Sequence, residues 1–111
     1  MTTNYQIILS TCPDIASART IATALVEQGL AACVNIVPGV ESIYQWQGAI
    51  EQSNELLLII KSRTECYAAL EEAILALHPY ELPEIIAVPL TTGLPAYLSW
   101  IDANLKQTNE E

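Results

Sequence analysis

The chain has 111 residues, with 4 lysines and arginines against 13 aspartates and glutamates, a formal net charge of −9. Nucleic acid and anionic membranes select basic surfaces, so both are excluded as partners. Apolar residues make up 51% and charged residues only 15%, where about 25% is usual. The chain therefore reads as one folded domain, 1–111, with an ordered core over about 5–105. So little charge on a small domain's large surface points to an oligomer.

Met1 to Gln6 has no basic segment and no apolar stretch with a cleavage site, so no signal peptide is expected. The central apolar run, Leu56–Ile60, is far short of the roughly 20 residues that cross a membrane. A cytoplasmic protein is expected. Cys12, Cys33 and Cys66 are an odd number, which suits reduced thiols rather than a disulfide framework.

Tyr5–Thr11 is a short apolar run rich in branched residues, the first strand. Pro13-Asp14 ends it, and Asp14 is placed to cap a helix with the stripe Ile15, Ala18, Ala22 and Leu25. Gly29 stops that helix and Leu30 supplies the apolar contact after it. A second strand starts near Ala31, is interrupted at Pro38-Gly39 and resumes from Val40 to Trp46. Gln47-Gly48 is a turn. A long third strand returns from about Ile50 to Ser62.

Thr64 is the expected cap of a second helix with the stripe Tyr67, Leu70, Ile74 and Leu77. Pro79 ends it and pushes His78 to an extended conformation. Glu84–Leu90 is a fourth strand, whose Pro89 suits an edge. Gly93-Leu94-Pro95 opens a last helix carrying Leu94, Leu98, Ile101 and Leu105. The tail from Gln107 to Glu111 is polar and is expected to fray.

The order β-α-β-β-α-β-α defines an α+β protein. Its first six elements form a ferredoxin-like sandwich, with strands one and three central and two and four at the edges. Two features exceed that plan: the extra C-terminal helix, and a long hairpin of strands two and three with Ile43, Tyr44 and Trp46 near its tip. An exposed apolar ribbon is an aggregation hazard unless a neighbour covers it.

Enzyme signatures are missing. Gly29, Gly39, Gly48 and Gly93 make no phosphate-binding loop, and there is no G-x-S-x-G. No C-x-x-C or H-x₃-H closes a zinc site. The topology does bring the end of strand one to the edge where helix two ends. Cys12 and His78 meet there, with Asp14, Glu81 and Glu84 on the same edge. A thiolate and an imidazole suit copper or zinc, so Cys12 and His78 are the candidate metal ligands. Cys33 and Cys66 map to the opposite edge. Tyr44 with Trp46, and Tyr97 with Trp100, read first as interface packing.

Four stretches carry a family resemblance: Leu30-Ala-Ala-Cys-Val-Asn-Ile-Val-Pro-Gly39, Ser42-Ile-Tyr-Gln-Trp-Gln-Gly48, His78-Pro-Tyr-Glu-Leu-Pro-Glu84 and Tyr97-Leu-Ser-Trp-Ile101. In this order they resemble the CutA divalent-cation tolerance proteins over about residues 5–105. The resemblance implies a ferredoxin-like subunit in a tight homotrimer whose hairpins extend each neighbour's sheet. It implies a role in tolerance to copper and other divalent cations, with no enzymatic reaction. The ligands proposed in enterobacterial members are a strand-one cysteine and two adjacent histidines that end helix two. Here those positions hold Ser10, Leu77 and His78, with Cys12 two residues beyond Ser10 on the same strand face.

The expectation is a non-catalytic homotrimer that binds copper or another divalent cation weakly and needs none to fold. Two other readings stand beside it. One is a small-molecule sensor of the PII type with ligands in the subunit clefts, and the other is a scaffold whose work is assembly.

Overall fold

The computed structural model describes residues 3–106. Its elements are β1 (Tyr5–Cys12), α1 (Ile15–Glu27), β2 (Cys33–Trp46), β3 (Ala49–Arg63), α2 (Tyr67–Leu77), β4 (Ile86–Pro89) and α3 (Pro95–Ala103). The sheet is antiparallel in the order β2-β3-β1-β4. The apolar strands β1 and β3 are thus central and the proline-bearing strands β2 and β4 lie at the edges, as the sequence pattern requires.

Local chemistry sets the helix ends. The Asp14 carboxylate accepts the Ser17 N–H at 2.7 Å, satisfying one of the donors that a helix start leaves free. At the other end of α1, Gly29 takes φ +70°. Its N–H reaches Val26 O, and Leu30 N–H reaches Leu25 O. These two bonds form a Schellman close. A side chain at Gly29 would also meet the Lys106 backbone at 3.1 Å, so both conformation and space demand glycine.

Three expectations need correction. Thr64 does not cap α2: a single 3-10 turn, Thr64–Cys66, intervenes, and α2 has no side-chain cap. Thr64 N–H is instead tied to Asn4 O at 2.8 Å. Strand β4 has four residues, Ile86–Pro89, rather than the longer Glu84–Leu90, because β1 offers it only Gln6–Leu9 as partners. The apolar stripes also overrun their burial: Ile15 and Leu77, at the outer ends of α1 and α2, are exposed. The expected fraying of Gln107–Glu111 concerns residues outside those described.

The two faces of the sheet differ. Alternation along β1 and β3 sends Ile8, Leu58 and Ile60 to one face. There they join Ile21, Leu25, Leu70 and Ile74 of α1 and α2 in a core without solvent access. Opposite residues in the ladder share a face, so the registers place Ile7, Leu9, Val37, Leu57, Ile59, Ile86 and Val88 together on the other. None of these belongs to either buried cluster. Helix α3 reaches only one end of that face. Its Asp102 accepts Tyr5 Oη–H and Arg63 Nη1–H, each at 2.6 Å.

Candidate functional site

The end of β1 and the end of α2 do share an edge. His78, extended at φ −76° and ψ 137° before Pro79, is buried against the backbone of β1. Its Nδ1 accepts the Tyr80 N–H at 3.1 Å, so Nε2 carries the proton and donates to Thr11 O at 2.7 Å. Both ring nitrogens are thereby engaged by main chain. In this arrangement His78 is a strut that fixes the 78–84 loop to β1.

Cys12 sits one residue further along β1, in the core under the helices. Burial, with smaller contributions from Asp14 and Glu55, pushes its thiol up to about 11, so it stays protonated at neutral pH. Ser10 lies on the same face, fully buried, and its hydroxyl has no hydrogen-bond partner. The Asp14 carboxylate is occupied as the helix cap, and hydrogen bonding from the backbone and then the side chain of Ser17 holds it below the usual carboxylate range. Glu81 and Glu84 are exposed on the 78–84 loop. Cys33 and Cys66 lie toward the opposite end of the sheet: Cys33 is opposite Lys61, and Cys66 packs with Ala32, Ile101 and Leu105. Among the described residues, no three His, Cys, Asp or Glu side chains converge as a metal-binding group.

The same edge opens into a cleft of about 620 Å³ lined by Thr11, Tyr44, Trp46, Glu55, Tyr80 and Glu84 among others. That volume is typical of a small-molecule site. Glu55 lies at its base, 7% exposed, and accepts the Tyr80 Oη–H at 2.7 Å. Burial and the Glu55 carboxylate push the Tyr80 phenol well above its usual value, so it remains a donor. Tyr44 Oη and Ser53 Oγ form a second hydrogen bond on the hairpin at 2.8 Å.

A β-bulge builds this cleft. Val37 pairs with Leu57 and Val40 with Glu55, so Pro38 and Gly39 together oppose the single residue Leu56. Gly39 takes φ +82°. The extra residue reverses the alternation. Before the bulge, odd-numbered residues of β2 share the face of Leu57. After it, Ser42, Tyr44 and Trp46 share the face of Glu55. The tight turn at Gln47 and Gly48, with φ 51° and 84°, keeps that register to the hairpin tip.

Glu55 went unmarked in the sequence, and Tyr80 appeared there only as part of the His78–Glu84 stretch. The available signal was a glutamate directly before the apolar run Leu56–Ile60, in a strand that topology makes central.

A helix pair on one face of an antiparallel β2-β3-β1-β4 sheet, with a hairpin far longer than the sandwich needs, defines a ferredoxin-like subunit of an elaborated kind. The chain belongs to the CutA1 divalent ion tolerance protein family, whose model matches residues 6–104. It is 52% identical over 99 residues to the divalent-cation tolerance protein CutA of Thermus thermophilus, covering 89% of this chain and 96% of that one. Against the CutA of an Escherichia coli strain it is 38% identical over 104 residues, covering 94% and 93%. The mouse protein CutA is 47% identical over 91 residues, 82% of this chain but only 51% of the mouse protein. The solved Thermus thermophilus structure superposes with a TM-score of 0.90 at 50% identity, covering 92% of this chain and 99% of that one. A CutA1 structure from a Shewanella species gives 0.92 at 48% identity, covering 96% and 100%. A relative from Archaeoglobus fulgidus, described as periplasmic, gives 0.89 at 39% identity over 92% of this chain and 99% of that one. No helix among the described residues is long and apolar enough to cross a membrane.

Proposed function

We propose that this protein is a non-catalytic, cytoplasmic homotrimer that serves divalent-cation tolerance by weak, reversible binding of copper or a similar ion. The observation that carries the reading is the family match over residues 6–104, with relatives named for divalent-cation tolerance on both sequence and structure grounds. The trimer is supported by the second sheet face. Its apolar side chains include Ile86 and Val88, 51% and 46% exposed, and a contiguous apolar patch of this kind calls for a neighbouring subunit. Three free cysteines fit a reducing compartment.

Weak binding follows from the state of the candidate ligands Cys12 and His78. A metal ligand must first lose its proton, and the Cys12 thiol holds its proton to about pH 11. An ion at His78 must also replace one of two backbone hydrogen bonds. Affinity should therefore rise with pH as the thiolate becomes available. On this reading folding needs no metal.

The test is calorimetric titration of the reduced protein with copper, in parallel with His78→Ala and Cys12→Ser. Saturable binding of micromolar or weaker affinity, reduced in both variants and stronger at pH 8 than at pH 6, is the expected result. Absence of saturable binding, or saturable binding that neither variant alters, would overturn the assignment of these ligands.

A further inference from the structure

The 78–84 loop joins α2 to β4 and is tied to its own subunit by few polar contacts. Among the described residues, positions 79–84 make two hydrogen bonds, both from Tyr80. The Tyr80 N–H donates to His78 Nδ1 at 3.1 Å, and the Tyr80 phenol donates to Glu55 Oε2 at 2.7 Å. The rings of Tyr80 and His78 also pack together, with centroids 4.8 Å apart. All of these groups belong to one subunit, so the bonds hold whether or not a neighbour covers the cleft.

The two nitrogens of His78 are not equivalent as ligands. Nε2 carries the proton and donates to Thr11 O at 2.7 Å. While that bond persists, Nδ1 holds the ring's one lone pair. A histidine that binds metal through one nitrogen commonly donates its other N–H to a backbone carbonyl, which fixes tautomer and ring plane. The Thr11 bond is therefore already the arrangement that a ligand needs. The ligand position itself is taken by the Tyr80 N–H. An ion and that N–H cannot share one lone pair, so loop and metal compete for Nδ1. Glu55 weights the competition. Hydrogen bonds to carboxylates are among the strong ones, Glu55 is buried, and a phenol held there keeps the Tyr80 backbone against the His78 ring.

Granted His78 as a copper ligand, as proposed above, we propose that copper binds through Nδ1 by displacing the Tyr80 N–H, and that the Glu55–Tyr80 hydrogen bond is a latch that holds the loop closed and limits copper affinity. Binding and loop closure are then linked in both directions: loosening the latch strengthens binding, and copper opens the loop by the same factor. Tyr80 and Glu55 are positioning residues, acting on the ion through His78.

The experiment is calorimetric titration of the reduced, assembled protein with copper, paired with amide hydrogen exchange read by mass spectrometry. Tyr80→Phe keeps the ring, the N–H and the Glu55 carboxylate and removes the latch. It should bind copper roughly tenfold tighter than wild type, the scale of one charge-assisted hydrogen bond. Adding His78→Ala to Tyr80→Phe should remove that gain. Tyr67→Phe, which breaks a tyrosine–glutamate bond to Glu71 on α2, should leave the affinity unchanged. In the wild type, which needs no variant to fold, saturating copper should speed exchange across 78–84 and leave Leu56–Ile60 unaffected. If wild-type binding is saturable and reduced by His78→Ala, then equal or weaker binding in Tyr80→Phe, or loop exchange that copper leaves unchanged or slows, would overturn the latch and leave the ligand assignment standing. Saturable binding in Tyr80→Phe but not in wild type would support the latch. No saturable binding in either protein, or binding indifferent to His78→Ala, would overturn the ligand assignment and the latch with it.

Discussion

The two faces of the sheet are built from the same strands and the same kinds of side chain, yet only one is finished by the chain itself. Leu58 and Ile60 are sealed beneath α1 and α2. Leu57 and Ile59, their immediate neighbours on β3, belong to no buried cluster. The difference separates two roles in one strand: even positions fold the subunit, and under the proposed trimer odd positions serve assembly. At its two ends the second face is trimmed by different devices. Asp102 of α3 takes Tyr5 and Arg63 at one end, and the 78–84 loop, pinned through His78 and Tyr80, closes over the other.

The comparison breaks most sharply on adjacent residues. Leu58→Ala removes fully buried side-chain volume and should cost the subunit about 2–5 kcal/mol in urea unfolding. Leu57→Ala should leave subunit structure intact and instead make the unfolding midpoint depend more steeply on protein concentration. Equal effects of the two would erase the distinction between the faces.

Deleting Gly39 leaves Pro38 alone opposite Leu56 and Val40 still opposite Glu55, so Ser42, Tyr44 and Trp46 should stay on the face of Glu55. The expected result is a folded sandwich with the Trp46 emission of the wild type. A shifted emission spectrum would show that the deletion slips the hairpin register instead of removing the bulge.

A smaller, pH-dependent effect belongs to the α3 end. The Tyr5 hydrogen bond, and then Arg63, hold the Asp102 carboxyl below its usual value. A depressed carboxylate stabilises the fold above its unfolded pKa of about 4 and loses that contribution as pH falls through its folded value. Asp102 is half-exposed, so solvent limits the effect. Asp102→Asn should lower the melting temperature by a few degrees at pH 7 and by less at pH 3. A constant difference across that range would contradict the ionic account.

Much of this was legible in the sequence. The apolar runs of β1 and β3 and the prolines of β2 and β4 gave the strand order, and Asp14, Gly29 and Gln47-Gly48 gave the local ends. The edge shared by strand one and helix two was deducible from topology. What could not be read there was which main-chain groups the His78 ring would bond, since backbone partners have no side-chain signature. The cleft was also hidden. Its facing depends on a one-residue bulge, which reverses an alternation that simple periodicity counting assumes to be constant. Thr64 misled because a good capping residue sits where the chain is still tied to Asn4.

The central claim is that the second sheet face is covered by copies of the same chain. Sedimentation equilibrium of the purified protein at micromolar concentration tests it directly, with Val88→Lys run alongside. A mass three times the subunit's 12.1 kDa, falling toward that single value in Val88→Lys while the helical circular dichroism persists, is the expected result. A wild-type mass of one subunit, or a Val88→Lys assembly indistinguishable from wild type, would contradict it.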